Sequence, residues 1–577
     1  MKKLFPFLKP YRKEIVLAPL FKLLEAVFDL LVPIIVKQII DVGIANGDRP
    51  YIWKMAGVLV AFALVGLACA LTAQYFAARA AVGFSTALRG ALFRHIQGFS
   101  YRETDRAGTS TLITRMTSDV NQVQSGVNLT LRLLLRSPII VFGAVIMAFT
   151  VDARGALVFA VAVPLLAVVV FAVLLSGFPL YRRVQRNLDR ITSLTREDLT
   201  GVRVIRAFRR EEEEAERFGK ANREHRRVQT IVGNLSALMN PLTLLIVDGG
   251  LIALLLVGAI RVNNGVMTTG AVVALTNYMA QILTELVKFA NTVFTVNKAL
   301  ACAGRISAVF DTPVGMETED PGPAPADVAD LAVAFRGVSL TYADHAAPSL
   351  SGVELSVRHG EVVGVIGSTG SGKTSLVNLI PRFYDATDGA VYVNGRDVRV
   401  WNTEELRGQI AVAPQKAVLF RGTVRSNLLW GNETATDEEL WNALEAAQAK
   451  DFIEQKEGGL DAPVAQNGRN FSGGQRQRLT VARALVRHAG ILILDDSASA
   501  LDYATEAALR AALRRLPEKP TVFIISQRTA SIRHADKILV LEEGVPVGLG
   551  THEELLASCE VYREIYDSQF RKGGETA

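Results

Sequence analysis

Hydrophobic positions are spread unevenly along the 577-residue chain. Up to about residue 300 they form long, nearly unbroken runs, and beyond about 330 they shorten to strand length. A bilayer core takes roughly 20 apolar residues as helix. On that measure six spans are predicted, near 15–41, 55–80, 133–152, 155–177, 238–260 and 268–292. The third and fourth, "SPIIVFGAVIMAFTV" and "ALVFAVAVPLLAVVVFAVLL", are separated only by "DARG" (Asp152 to Gly155), which predicts a tight hairpin. The second and third spans, and the fourth and fifth, are instead joined by long, charged, helix-like segments without Gly/Pro-rich breaks. That pattern predicts membrane helices that run on beyond the bilayer and turn there.

Composition sharpens this picture. Half of the residues are hydrophobic and the mean hydropathy is +0.25, high for a soluble protein of this size. Lys and Arg are dense in the N-terminal stretch and in both long connections, which places those parts in the cytoplasm. The formal charge of +6 follows from that bias and does not call for nucleic acid as a partner. Cys69, Cys302 and Cys559 are far apart and form neither a metal cluster nor a disulfide framework. The basic and apolar N-terminus lacks a small-residue cleavage site, which argues against a secretory leader. Several predicted spans carry charges: Lys22, Glu25, Asp29 and Lys37 in the first, Asp248 in the fifth, Glu285 and Lys288 in the sixth. Lys22/Glu25 and Glu285/Lys288 are three apart and can pair on one helical face. Such charges either line a translocation pathway or pair between helices, and the sequence supports both readings equally.

The acidic, Pro- and Gly-rich stretch "VGMETEDPGPAPADVAD" reads as a linker. The predicted organisation is a transmembrane domain over 1–310, a linker over 311–328 and a second domain over 329–577. In that second domain "EVVGVIG" (Glu361 to Gly367), "ILILDD" (Ile491 to Asp496) and "TVFIIS" (Thr521 to Ser526) read as buried strands separated by helices, an α/β fold with a parallel or mixed sheet.

"GSTGSGKT" matches G-x-x-x-x-G-K-[ST] in full, after a strand and before an apolar helical stretch. In such a loop the backbone N–H groups of Gly367, Ser368, Thr369, Gly370, Ser371 and Gly372 converge on phosphate oxygens. Lys373 reaches the terminal phosphates and the Thr374 hydroxyl holds Mg²⁺. Asp495, at the end of "ILILD", is the second expected anchor for that ion, acting through water. "NFSGGQRQRLTVARAL" places Ser472, Gly473, Gly474 and Gln475 at the start of a helix, where free N–H groups make a second anion site. One nucleotide does not need both sites from the same chain.

These residues resemble those of an ABC exporter half-transporter, a helical membrane bundle of six helices fused to an α/β P-loop NTPase domain, and the resemblance covers nearly the full length. "FSGGQ" is similar to the family's signature motif, with Phe471 where Leu is usual. The resemblance implies that Gln415 is the glutamine that senses the γ-phosphate and the metal, and that Tyr342 stacks on adenine. It also implies that Ser499 to Asp502 form the loop facing a second nucleotide domain. ATP and Mg²⁺ would then lie between one chain's phosphate loop and another chain's signature, and ATP-driven closure would move an amphipathic substrate (drug, lipid or peptide) across the lipid bilayer of the plasma membrane.

The chain departs from the family pattern at two chemical positions. Asp496 stands where a catalytic Glu is usual, and Gln527 where a switch His is usual. Asp is one methylene shorter, and Gln neither takes up a proton nor carries charge. The pair predicts a site that binds ATP and hydrolyses it slowly, as in the degenerate subunit of a heterodimeric exporter whose partner half-transporter keeps the Glu and the His. The alternatives are a homodimeric exporter with two slow sites and an ATP-regulated membrane protein that does not transport. In the loop before the signature Gln466 stands where Glu is usual, which alters the expected contact with the membrane half.

Overall fold

Unbroken apolar sequence with few strong breakers leaves the helix as the way to satisfy backbone groups in lipid. In the computed structural model, which describes residues 2–316, 325–342, 347–497 and 501–570, the first half is helical throughout. A 3₁₀ helix (Lys2–Tyr11) leads into α1 (Arg12–Gln38), which continues through a π-helical turn to Ile44. There follow α2 (Arg49–Gln97), α3 (Thr109–Val151), α4 (Ala153–Thr200), α5 (Glu211–Asn263) and α6 (Thr269–Asp311).

Helices α2 to α6 are long and apolar enough to cross a membrane, five rather than the six expected. The difference lies in α1, whose 27 residues include Lys22, Glu25, Asp29 and Lys37. At about 1.5 Å per residue, a helix the length of α4 extends roughly 72 Å, more than twice a ~30 Å hydrocarbon core. The long connections are therefore helix extensions, closed by the short helices Tyr101–Ala107 and Val202–Ala207. The expected α3–α4 hairpin turns at Asp152, which accepts from Gly155 N at 2.6 Å and pairs with Arg261 at 2.7 Å.

The chain falls into two compact units, residues 1–97 with 107–313 and residues 98–106 with 314–577. In the first, Ile140, Phe159, Leu275 and Tyr278 pack in the helical core. On α2, Val60, Leu64, Leu67 and Leu71 recur at helical spacing and are each more than half exposed, a stripe suited to lipid. Three of the charges of α1 are paired: Lys22 with Glu25 at 2.6 Å, and Asp29 with Arg136 of α3 at 2.8 Å. Arg136 also meets Glu285 of α6 at 2.6 Å, and Glu285 pairs with Lys288 at 3.0 Å.

The second unit holds two main sheets. One runs β2-β1-β4-β5, from β1 (Leu331–Leu340), β2 (Leu350–Arg358), β4 (Asp388–Val393) and β5 (Arg396–Asp397), all antiparallel. The other contains β3 (Val362–Gly367), β6 (Ile410–Ala413), β7 (Ile491–Asp495), β8 (Thr521–Ile525), β9 (Lys537–Glu542) and β10 (Val545–Gly550). Its order is β10-β9-β3-β8-β7-β6, parallel except for β10. Strand β7 is buried at all five positions, as its unbroken apolar run predicts for a sheet covered on both faces. Ile525 of β8 stands level with Asp495 of β7 and Val365 of β3, so β7 and β8 end together and β3 runs two residues further into the phosphate loop.

Candidate nucleotide-binding site

In open α/β sheets ligands bind beyond the carboxyl ends of the strands, and the expected site residues gather there. The phosphate loop leaves β3, Gln415 follows β6, Asp495 closes β7, and Gln527 follows β8. Thr369, Gly370, Gly372, Lys373, Thr374, Gln415, Asp495, Asp496 and Gln527 line one cavity, with Ser349, Ser375 and Ile525.

The glycines of the loop are required by space. A Cβ at Gly367 would lie 2.1 Å from Leu541 O, and Gly372, at φ +90°, would meet Ser349 O at 2.5 Å. Gly372 opens helix α7 (Lys373–Leu379). Lys373 is buried, and its Nζ donates to Gly367 O at 3.0 Å and Ser368 O at 2.6 Å, with Ser371 Oγ at 3.4 Å. Burial lowers the pKa of the ammonium, and the charges of Asp496 and Asp495 oppose that shift.

Asp495 is buried, and both its carboxylate oxygens accept from Thr374 Oγ1, at 3.1 and 3.0 Å. Burial raises its pKa against that hydrogen bond. Asp496 has φ +48°, a left-handed conformation that Asp tolerates better than most residues. Burial raises its pKa too, opposed by Gln415, whose Nε2 is 3.5 Å from Oδ2, and by the charges of Lys373 and Arg528. Gln527 Oε1 faces Thr369 Oγ1 at 3.5 Å, and its backbone carbonyl accepts from Gln569. His534 does not line this cavity.

A hydroxyl and a carboxylate side by side suit Mg²⁺, which takes oxygen ligands and in nucleotide sites uses one or two protein groups beside phosphates and water. Thr374 and Asp495 form such a pair, with Gln415 on the same cavity.

Tyr342 does not line the cavity, although its hydroxyl donates to Ser375 Oγ at 2.8 Å. Its ring meets that of Tyr384 edge-on at 4.9 Å. The structure carries this aromatic set further than the sequence reading did. Tyr384 donates to Asp105 at 2.5 Å, and Tyr101 stacks on Phe383 at 4.4 Å, so residues 98–106 pack in the second unit.

The signature residues lie apart from the phosphate-loop cavity. Ser472 caps helix α8 (Gly473–Leu485): its Oγ accepts from Gln475 N at 3.3 Å, while Gln475 Oε1 accepts from Ser472 N at 2.9 Å. A Cβ at Gly473 would meet nothing within 4 Å, so this turn, with Gly474 next in the helix, is open on its outer side. Phe471 is buried beneath Phe452 and the ammonium of Lys456, which accounts for an aromatic side chain there. Gln466 is exposed on a short turn. Ser499 lies outside the described residues, whereas Asp502 caps the helix Tyr503–Arg514, accepting from Thr505 N at 2.8 Å. Sequence reasoning missed Arg528, whose charge acts on Asp496; its place beside Gln527 was the available signal.

Comparison with known proteins agrees with this layout. Residues 15–286 match the model of the ABC transporter transmembrane region, and residues 350–499 match that of the ABC transporter domain. An uncharacterized ABC transporter ATP-binding protein of Mycobacterium tuberculosis is 39% identical over 97% of each chain. The ATP-dependent lipid A-core flippase of Salmonella typhimurium is 29% identical over 99% of this chain and 97% of its own. A bacterial Atm1-family ABC exporter solved with ATP bound shares the fold, with a TM-score of 0.79 at 23% identity over 98% of this chain and 99% of that one. The chain belongs to the ABC transporter family: it is a multi-pass membrane transport ATPase whose transmembrane region and cytoplasmic ATP-binding domain are fused in one polypeptide.

Proposed function

We propose that the chain exports amphipathic substrates as one half of a two-chain assembly, and that ATP binds between the phosphate loop of one chain and the signature of the other. The observation that carries this reading is the separation of the two anion sites within one chain, the phosphate-loop cavity and the open turn at Ser472 to Gly474. In the assembly Lys373 turns from its loop carbonyls onto the terminal phosphates, and Ser472 with the N–H groups of Gly473 and Gly474 completes the site from the facing chain. Tyr342 stacks on the adenine. Mg²⁺, held by Thr374 and Asp495 with Gln415, would neutralise charge developing on the phosphates. Asp496 positions the attacking water and takes its proton, from a shorter arm than the family's Glu. Gln527 adds a hydrogen bond but no charge. Helix α1 is the sixth span, with Lys22 paired to Glu25 and Asp29 to Arg136 of α3.

Two copies of this chain supply every part of the assembly, and the membrane and nucleotide halves together match full-length relatives end to end. A homodimer with two slow sites is therefore the leading form. A second reading, a heterodimer, is favoured by the placement of both departures, Asp496 and Gln527, on the phosphate-loop side while the signature stays intact. The test is ATPase and transport by the purified chain in vesicles. Slow turnover by the chain alone supports the homodimer, and turnover only after a second half-transporter is added supports the heterodimer. ATP binding with no transport in either case would sink the exporter reading.

A further inference from the structure

Within the membrane unit, the N-terminal 3₁₀ helix, α1, α2, α3 and α6 surround a cavity of about 320 Å³. Among the described residues its wall is apolar except for Thr130. Gly126 brings α3 against α6 there, since a Cβ at that position would lie 2.2 Å from Ala299 Cβ. On α6, Val296, Ala299, Leu300 and Ala303 line the hollow at helical spacing, and the two alanines leave it unfilled. An apolar cavity of about 150 Å³ already stays dry and takes up benzene, so one twice that size calls for an apolar occupant.

The cavity sits at the edge of the hydrocarbon. The cytoplasmic ends predicted for the first, second, third and sixth spans are at 15, 80, 133 and 292. Ile15, Phe84, Leu131 and Val296 of the lining each stand within about four residues, or roughly 6 Å, of those ends. Leu4, Phe5 and Leu8 bring the 3₁₀ helix onto the same cavity. Phe5 and Leu300 are 59% and 43% exposed, so the cavity opens to the outside of the unit through an apolar mouth.

The same N-terminal stretch supplies charge. Lys9, Arg12 and Lys13 are exposed and have neither an ion pair nor a side-chain hydrogen bond among the described residues. Lys3 and Glu14 are already paired, with Asp311 at 2.5 Å and Arg79 at 3.5 Å. Arg12 stands three positions before Ile15 on α1, on the face that reaches the cavity.

We propose that this cavity holds one acyl chain of an anionic phospholipid from the cytoplasmic leaflet, with Lys9, Arg12 and Lys13 meeting its phosphate headgroup. That leaflet carries the negative charge these three groups lack. A helix lying in the interface, apolar on one side and basic on the other, seats the tail and the headgroup together. The site is independent of the direction of transport and of which chain completes the nucleotide site.

The probes are phosphatidylglycerol and phosphatidylcholine with identical acyl chains, titrated into the full-length protein in detergent and counted by native mass spectrometry. One phosphatidylglycerol per chain should bind saturably, at about tenfold lower concentration than phosphatidylcholine. Lys9→Gln, Arg12→Gln and Lys13→Gln together abolish that preference. Ala303→Phe fills the cavity and weakens binding of both lipids by about tenfold. Equal binding of the two lipids, a preference unmoved by the triple change, or binding unmoved by Ala303→Phe overturns the proposal. If Ala303→Phe fails to fold, Leu300→Trp at the mouth decides in its place. A filled variant that loses its dimer and keeps its lipid assigns the cavity to contact between copies, which equally overturns it.

Discussion

Arg136 in the membrane unit and Lys373 in the nucleotide unit are both buried cations near carboxylates, and the two are held in opposite ways. Arg136 in the membrane helices is surrounded by Glu285, Asp29 and Glu25, whose charges it meets directly. Lys373 in the nucleotide unit is turned onto the carbonyl oxygens of its own loop, while Asp495 beside it is bound by Thr374. A guanidinium neutralised by carboxylates from other helices is part of the fold. An ammonium capped only by neutral oxygens keeps its charge for an incoming anion.

The sharpest break in that comparison is Arg136→Ala. Removing one member of a buried ionic network strands the others, at a cost of about 3–5 kcal/mol. Thermal unfolding in detergent should show a large loss of stability in the membrane unit. A variant as stable as the wild type would mean that the network is solvated rather than structural. Lys373→Ala should do the converse. The fold is kept, because only neutral carbonyls lose a donor, whereas ATP affinity falls by on the order of 100-fold, as for the loss of a buried charge partner worth about 2–5 kcal/mol. Nucleotide titration set against the unfolding midpoint separates the two effects.

Next in size is the double change Asp496→Glu with Gln527→His. If the shortened carboxylate and the missing imidazole limit hydrolysis, turnover should rise by up to ~10²-fold with little change in ATP affinity. Asp496 holds a left-handed φ of +48°, which Glu adopts less readily, so the gain falls short of that limit if the backbone does not relax. Single-turnover hydrolysis measures it, and an unchanged rate would remove these residues as the cause of slow chemistry.

What could be read from sequence follows the range of the interactions. The phosphate loop, the strand ending in Asp495 and the hairpin at Asp152 are local patterns, and each is visible within a few residues. The pairs Lys22/Glu25 and Glu285/Lys288 were legible for the same reason, being three apart on one helix. Arg136 was not. Its partner Glu285 is 149 positions away, and an arginine beside an apolar run reads equally well as a membrane-edge residue. The two counts of spans part on the same network: the apolar pattern predicts six with α1 included, whereas five helices are long and apolar enough to cross, α1 carrying Lys22, Glu25, Asp29 and Lys37. The grouping of residues 98–106 with the second unit was hidden too, because it rests on aromatic contacts that no periodicity announces.

Those contacts supply the smallest test, and a third way of holding a charge. Among the described residues Asp105 is met neither by a cation nor by its own loop but by the hydroxyl of Tyr384, across 279 positions. Burial and the neighbouring carboxylate both raise the pKa of this phenol, so it stays a donor at physiological pH. Tyr384→Phe removes the hydrogen bond and keeps the ring against Tyr342, so adenine affinity should not change. The expected cost is about 1 kcal/mol in the stability of the nucleotide unit. Asp105→Asn keeps an acceptor for the same hydroxyl but not its charge, and a double-mutant cycle reports how much of that energy is electrostatic. If the bond also ties the turning helix to the nucleotide unit, substrate-stimulated ATPase falls a few-fold in Tyr384→Phe while basal turnover holds. Loss of both in equal measure would assign Tyr384 to packing alone.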